Sequence, residues 1–250
     1  MDDKGYNENV DQNQWIARYQ QLYDYHKGMA DYHYKSYEAV LHSRVKGREI
    51  QEDSRAVVLE KKISQGPLKL SFPQIIGLKN SLVEQKINEL LKEKSYGLIE
   101  KQKKENQNLV EILGEYQVKL NKKGLLSIYF TNYAIWEKAA HGLTLADSLT
   151  VDLDTGQVYE LNDFFKPNSD YISRINQMIK QQIQDRNIPL ITDFKTIAPE
   201  QSFFLNDQGI VIYFQLYKYT PYYLGIPQFI IPYKLTVDLM APAGPLVRLV

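Results

Sequence analysis

Three times between residues 120 and 210 a short polar run ending in glycine separates two stretches of alternating apolar residues. The runs are Asn121-Lys122-Lys123-Gly124, Asp154-Thr155-Gly156 and Asn206-Asp207-Gln208-Gly209. A short loop closed by a residue that tolerates positive φ is a hairpin signal, and hairpins join antiparallel neighbours. Leu126, Ile128 and Phe130 alternate with Ser127, Tyr129 and Thr131, and Ile210, Ile212, Phe214 and Leu216 follow the same period. Strands are therefore expected up to 120 and over 125–135, over 145–153 and 157–161, and over 203–205 and 210–217. Gly156 and Gly209 are expected to be structural turn residues that need positive φ.

Upstream, Val57-Val58-Leu59 and the stretch 68–73 read as short strands. A helix is expected from Ser81 to about residue 107, with Ser81 and Glu84 at capping-box spacing and Ile87, Leu90 and Leu91 on one face. A second helix is expected over 169–186, with Ile172, Ile175, Ile179 and Ile183 as its stripe. The fold class is α+β: a largely antiparallel sheet with two amphipathic helices on one face, preceded by a long N-terminal helix. That first helix is expected over 13–46, where Trp15, Tyr19, Leu22, His26, Met29, His33, Tyr37 and Val40 recur at helical steps. Its heptad echo, Tyr25-His26 and Tyr32-His33, makes it a candidate homo-oligomerisation element. Residues 46–54 read as a linker. The expected units are 1–50, 54–135 and 136–240, the last two continuous with each other.

With 30 basic and 30 acidic residues the formal net charge is zero, and no basic stripe points to nucleic acid. There is no cysteine, which removes disulfides, thiolate nucleophiles and thiolate metal sites together. No apolar run reaches the length of a membrane span, and the opening Met1-Asp2-Asp3-Lys4 leads into polar sequence without the apolar core of a signal peptide. The 19 tyrosines suit half-wet surfaces and partner contacts.

Several ordered pieces carry a family likeness. They are Phe72-Pro73-Gln74-Ile75-Ile76-Gly77-Leu78 with Ile87-Asn88, then Ala140-His141-Gly142, then Val151-Asp152-Leu153-Asp154-Thr155-Gly156 and Leu161-Asn162-Asp163-Phe164-Phe165. Near the end come Gly209-Ile210-Val211-Ile212-Tyr213-Phe214, Tyr219-Thr220-Pro221-Tyr222, Gly225 and Ile231-Pro232-Tyr233. This order resembles the paired modules of the lysozyme-sensing anti-sigma factor RsiV, also found ahead of the catalytic domain in PdaC-type peptidoglycan deacetylases. The family pattern has glycines just before the Ala-His pair, where this chain has Lys138-Ala139. The resemblance implies a non-catalytic binding or sensing module of the bacterial cell envelope, extracytoplasmic, whose ligand is a protein such as lysozyme or peptidoglycan. A structural or assembly protein of a spore or surface layer, oligomerising through 13–46, is the alternative; the absence of a leader in this chain leaves a cytoplasmic or spore-associated setting open.

The chemistry on offer is sparse. His141 stands outside the N-terminal helix, where it serves either as a loop-structuring residue or as a base beside Asp147 or Asp152, the latter defining a hydrolase reading. The structural reading is favoured, because no second histidine or nucleophile lies at a workable spacing. His26 and His33 read as an aromatic packing face rather than a metal site. Asp154 is expected to cap its turn and Asp152 to face solvent, while Asp147 shares parity with apolar neighbours and calls for a cationic partner. The aromatic run 217–223 makes Tyr217, Tyr219, Tyr222 and Tyr223, together with His141, the candidate ligand-binding residues. No nucleotide loop, serine elbow or zincin motif is present, so no cofactor, metal or catalytic residue is expected.

Overall fold

The computed structural model describes residues 55–102 and 108–250. The expected helix over 13–46, the linker, and His26 and His33 lie outside the described residues. The described residues form one compact unit.

The chain opens with β1 (Val57–Gln65) and β2 (Leu68–Ile76), crosses through α1 (Ser81–Gln102), and continues with β3 (Leu109–Lys122), β4 (Leu125–Trp136) and β5 (Leu143–Asp152). These strands form one sheet in the order β1-β2-β3-β4-β5. A short 3₁₀ turn at Leu161–Phe164 leads to α2 (Tyr171–Asp185), then β6 (Phe203–Leu205), β7 (Gly209–Tyr213) and β8 (Gln228–Pro232). The last three form a second antiparallel sheet. The expected single sheet is thus two. The boundary expected between 135 and 136 falls within β4, before its last residue, and β4 is hydrogen-bonded to β5.

Pairing is antiparallel except between β2 and β3, which run parallel. That exception follows from the connection: a helix crossover returns the chain in its starting direction, whereas a tight turn reverses it. The β1–β2 hairpin turns at Gly66, with φ 56°. Sequence reading missed it because β1 is an edge strand, exposed along most of its length, and so shows no apolar alternation.

The two helices do not share a sheet face. On α1, Val83, Ile87, Leu91 and Leu98 pack against Leu126, Ile128, Phe130, Leu149 and Val151 of the first sheet. On α2, Ile175 and Ile179 pack against Ile210, Ile212, Phe229 and Ile231 of the second. Between the sheets, Tyr129 and Ala146 meet Phe204, Val211 and Tyr213. The layers therefore run helix, sheet, sheet, helix. This is why Ser127 and Tyr129, which alternate with the residues that face α1, are buried as well. Ser127 Oγ lies 2.8 Å from Thr150 Oγ1 and accepts the Leu205 N–H at 2.9 Å. Several tyrosines likewise fill the core rather than the surface, among them Tyr129, Tyr213 and Tyr233. Burial raises the pKa of each of their phenols well above the ordinary value. Tyr213 and Tyr233 keep hydrogen bonds, to Ser148 Oγ and the Asn206 carbonyl.

Local details revise other expectations. The α1 cap is Asn80, whose Oδ1 accepts the N–H groups of Leu82 and Val83 at 3.0 and 3.3 Å, while Glu84 accepts the N–H of Leu78. Asn88 brackets Ile75, accepting its N–H at 2.7 Å and donating to its carbonyl at 2.9 Å, which ties α1 to the end of β2. Gly124 and Gly156 stand at φ 75° and 68°. Gly209 does not have positive φ. A Cβ there would lie 2.1 Å from the Ile231 carbonyl oxygen, so close β7–β8 backbone approach, not turn conformation, demands glycine. The strand expected over 157–161 reduces to a single bridge, Val151 to Val158. The chain turns away there to bury Leu161, Phe164 and Phe165.

Candidate functional site

His141 sits in the loop between β4 and β5. Lys138, three residues earlier, stands at φ 63°, the left-handed region in which the resembling pattern has glycine. Gly142 is required by space: a Cβ there would lie 2.2 Å from the Tyr133 ring. The imidazole Nδ1 donates to the Gly142 carbonyl at 2.9 Å. In the neutral ring that bond makes Nε2 an acceptor, and the Tyr217 hydroxyl reaches it at 3.1 Å.

The structure brings together most of the sequence-predicted candidates. The His141 ring stacks on Tyr222 with centroids 4.2 Å apart and planes at 28°. Tyr217 also stacks on Tyr222, with centroids 5.8 Å apart and planes at 27°, and its ring centre lies 6.4 Å from that of His141. Tyr217 is 44% exposed, Tyr223 48% and Leu224 41%, so the stack is the base of an outward-facing aromatic patch. Tyr219 is not part of it. Its ring turns inward, edge-on to Phe194 at 5.4 Å and Phe214 at 4.8 Å.

Two devices hold the patch. A 3₁₀ turn over Tyr222–Leu224, entered at Pro221 and left at Gly225 (φ 68°), fixes the tyrosine tips. Gln215 then staples this loop to the first sheet, accepting the Ala146 N–H at 3.0 Å and donating to the Ala146 carbonyl at 2.7 Å. Sequence reasoning passed over Gln215, although a glutamine next to Phe214 in an apolar strand pattern is the signal for a side chain that pairs with backbone. Tyr217 itself stands at φ 64°. A bulky non-glycine residue held there is strained, and such strain gathers where a surface is pre-shaped for a ligand.

The two carboxylates proposed as partners for His141 are engaged elsewhere. Asp147 pairs with Lys94 of α1 at 3.0 Å, with Lys101 at 3.8 Å. Asp152 reverses its expected role: it is buried, and Asp154 is exposed. Its Oδ1 accepts from the N–H groups of Asp154 and Thr155 and the Thr155 hydroxyl, at 2.9–3.0 Å. Its Oδ2 accepts from Arg248 at 2.8 Å and from the Tyr159 hydroxyl at 3.3 Å. Burial opposes its charge, but the Thr155 N–H, Arg248, the Thr155 hydroxyl and the Asp154 N–H outweigh burial and hold its pKa below the ordinary value. Among the described residues no group of three or more His, Cys, Asp or Glu could hold a metal ion.

Residues 60–144 match the family described as deacetylase PdaC, and residues 162–234 match a protein family of unknown function, DUF3298. Over 192 residues the chain is 29% identical to the anti-sigma-V factor RsiV of Bacillus subtilis strain 168. The chain carries an RsiV-like pair of modules. That alignment takes in 70% of this chain and 66% of RsiV, so the chain spans just under two-thirds of the relative's length. Two solved structures share the fold. One is a DUF3298 family member from Bacteroides fragilis, at 16% identity and TM-score 0.52, covering 80% of this chain and 98% of the other. The second is a DUF3298 family protein from Pseudomonas aeruginosa PAO1, at 14% identity and TM-score 0.52, covering 75% and 93%. Among the described residues no helix is long and apolar enough to cross a membrane.

Proposed function

We propose that the chain is a non-catalytic binding or sensing module of the bacterial cell envelope, acting outside the cytoplasm, and that its ligand is a protein such as lysozyme. The observation that carries this reading is the aromatic patch built on His141, Tyr217 and Tyr222 and tipped by Tyr223. Its rings are stacked in advance, and Tyr217 is held in a strained backbone conformation on the exposed face. Rigid tyrosines offer large contact area at low entropic cost and are enriched among residues that dominate interface energy. The engagement of Asp147 and Asp152 by cations argues against His141 as a hydrolytic base. The likeness to RsiV points the same way, since that relative is an anti-sigma factor.

The net charge of zero adds a physical expectation. Lysozyme is strongly cationic, and long-range steering is strongest toward an acidic receptor. Binding here would rest on the aromatic contacts, with a shallow salt dependence. Calorimetry of the full chain with lysozyme, at low and physiological salt, tests this. Y223A and Y217A are each expected to weaken binding by about 30-fold, the loss of one interface anchor of about 2 kcal/mol. Binding that collapses with added salt, or is untouched by both substitutions, would refute the patch as the recognition surface. No detectable heat at either salt would remove lysozyme as the ligand.

A further inference from the structure

A cleft of about 410 Å³ is lined by all three strands of the second sheet and by the end of α2, whose Gln182 and Arg186 donate to the Ile230 and Gln228 carbonyls of β8. Its volume falls within the roughly 300–1,000 Å³ of small-molecule sites. Its apolar wall is Phe204, Val211 and Ile230, from the sheet face that meets the first sheet. Two cations reach into it from different elements. Lys119 of β3 lays its ammonium 5.1 Å from the Phe204 ring centre and 5.6 Å from that of Tyr129. Arg186, at the C-terminal end of α2, lies 5.5 Å from the Phe229 ring centre and donates to the Gln228 carbonyl at 2.9 Å.

Among the described residues, neither Lys119 nor Arg186 is in an ion pair, whereas Lys94, Lys122, Arg174 and Arg248 each have a carboxylate. Burial around Lys119 lowers its pKa, so its charge is costly as it stands. A shallower depression of about 170 Å³ shares Lys119 and adds Arg55 and Lys122, the latter paired with Asp207. The remaining lining of the larger cleft is carboxamide: Gln182, Asn206 and Gln228. Carboxamides donate and accept hydrogen bonds, which suits hydroxyl and acetamido groups.

The geometry points to a binding site for a carboxylate-bearing sugar of one or two rings. Its carboxylate is drawn to Lys119 and Arg186, its apolar ring face lies on Ile230, which is half-buried where Phe204 and Val211 are fully buried, and its hydroxyls meet Gln182, Asn206 and Gln228. The site shares no residue with the aromatic patch, so it stands or falls apart from lysozyme recognition.

The test is calorimetry of the full chain with three probes: the glucuronate–N-acetylglucosamine disaccharide of hyaluronan, neutral N,N′-diacetylchitobiose, and acetate. The acidic disaccharide is expected to bind at least about tenfold more tightly than either of the others. K119M keeps the stem on Phe204 and removes the charge; R186Q removes the guanidinium fork. Each is expected to cost about tenfold in affinity for the acidic disaccharide. A melting curve at or above that of the parent for K119M shows that the loss is not unfolding. Equal binding of the acidic and neutral disaccharides overturns the proposal, as does acetate binding as tightly as the sugar. Unchanged affinity in K119M, or no binding of the acidic disaccharide up to on the order of 10 mM, overturns it too.

Discussion

Replacing Asp152 by Asn should destabilise the domain through one interaction that can be isolated. The Asp152 side chain is 2% exposed and that of Arg248 41%. Breaking a fully buried pair costs about 3–5 kcal/mol, but half of this one is wet, which lowers the figure. In D152N the amide oxygen can stand where Oδ1 does and keep the N–H groups of Asp154 and Thr155. What is lost is the charge-assisted bond from Arg248, since the new NH₂ faces that guanidinium donor-to-donor; the longer contact with the Tyr159 hydroxyl can invert, with the NH₂ donating to the phenol oxygen. The expected cost is about 2 kcal/mol. For a domain of this size that corresponds to a melting temperature lower by about 4–8 °C at neutral pH. The pH dependence has a definite sign. The folded carboxyl has a lowered pKa, so its stabilisation is present above the unfolded value of about 3.9 and is lost as pH falls through the folded value. The gap between parent and D152N should therefore hold steady across neutral pH and close in acid. Thermal melts of both proteins across that range decide it. Equal melting temperatures at neutral pH would show that Arg248 contributes nothing. A gap that persists in strong acid would show that the loss is steric rather than ionic.

Gly209→Ala should cost about 2 kcal/mol or more, because its Cβ would strike the Ile231 backbone; Gly66→Ala, in a positive-φ turn with open space, should cost only about 1 kcal/mol. Denaturant midpoints of the two variants compare them, and a more damaging Gly66→Ala would overturn the close-approach argument. Y217N should leave stability unchanged or raise it by up to about 1 kcal/mol, since asparagine tolerates the left-handed region. A clear drop in its melting temperature would mean that the ring stack supports the fold rather than a ligand.

The sequence made some of this architecture legible and hid the rest for identifiable reasons. Gly124 and Gly156 mark local turns, and local chemistry decides which neighbours in sequence reverse direction. The parallel pairing of β2 with β3 is a contact across a 22-residue helix, which no turn signal encodes. The second sheet was hidden by its own interface: Ser127, Thr150 and Ser148 look like a solvated face, yet each hydrogen-bonds a partner across or along the sheets. Asp152 and Asp154 share one parity in the strand pattern. Their roles are separated by the end of β5 at residue 152, which leaves the first inside and the second in the turn.

The candidate surface shows most clearly where a linear reading stops. His141 belongs to the first matched segment and the tyrosines to the second, 76 residues apart from His141 to Tyr217. Tyr217 and Tyr222 stack within the second segment, but the His141 ring that completes the group comes from the first. Each residue type was legible as a candidate, but their meeting depends on how the second sheet packs on the first. It depends in particular on Gln215, whose side chain pairs with both backbone groups of Ala146 at the β5 edge. An edge strand offers unpaired N–H and C=O groups that proteins cover in some way, and here the cover is the loop that carries Tyr217. The same contact satisfies the edge and positions the tyrosines beside His141. Pairing the two modules is thus what adds His141 to the tyrosine stack, through the ring contact with Tyr222 and the hydrogen bond with Tyr217.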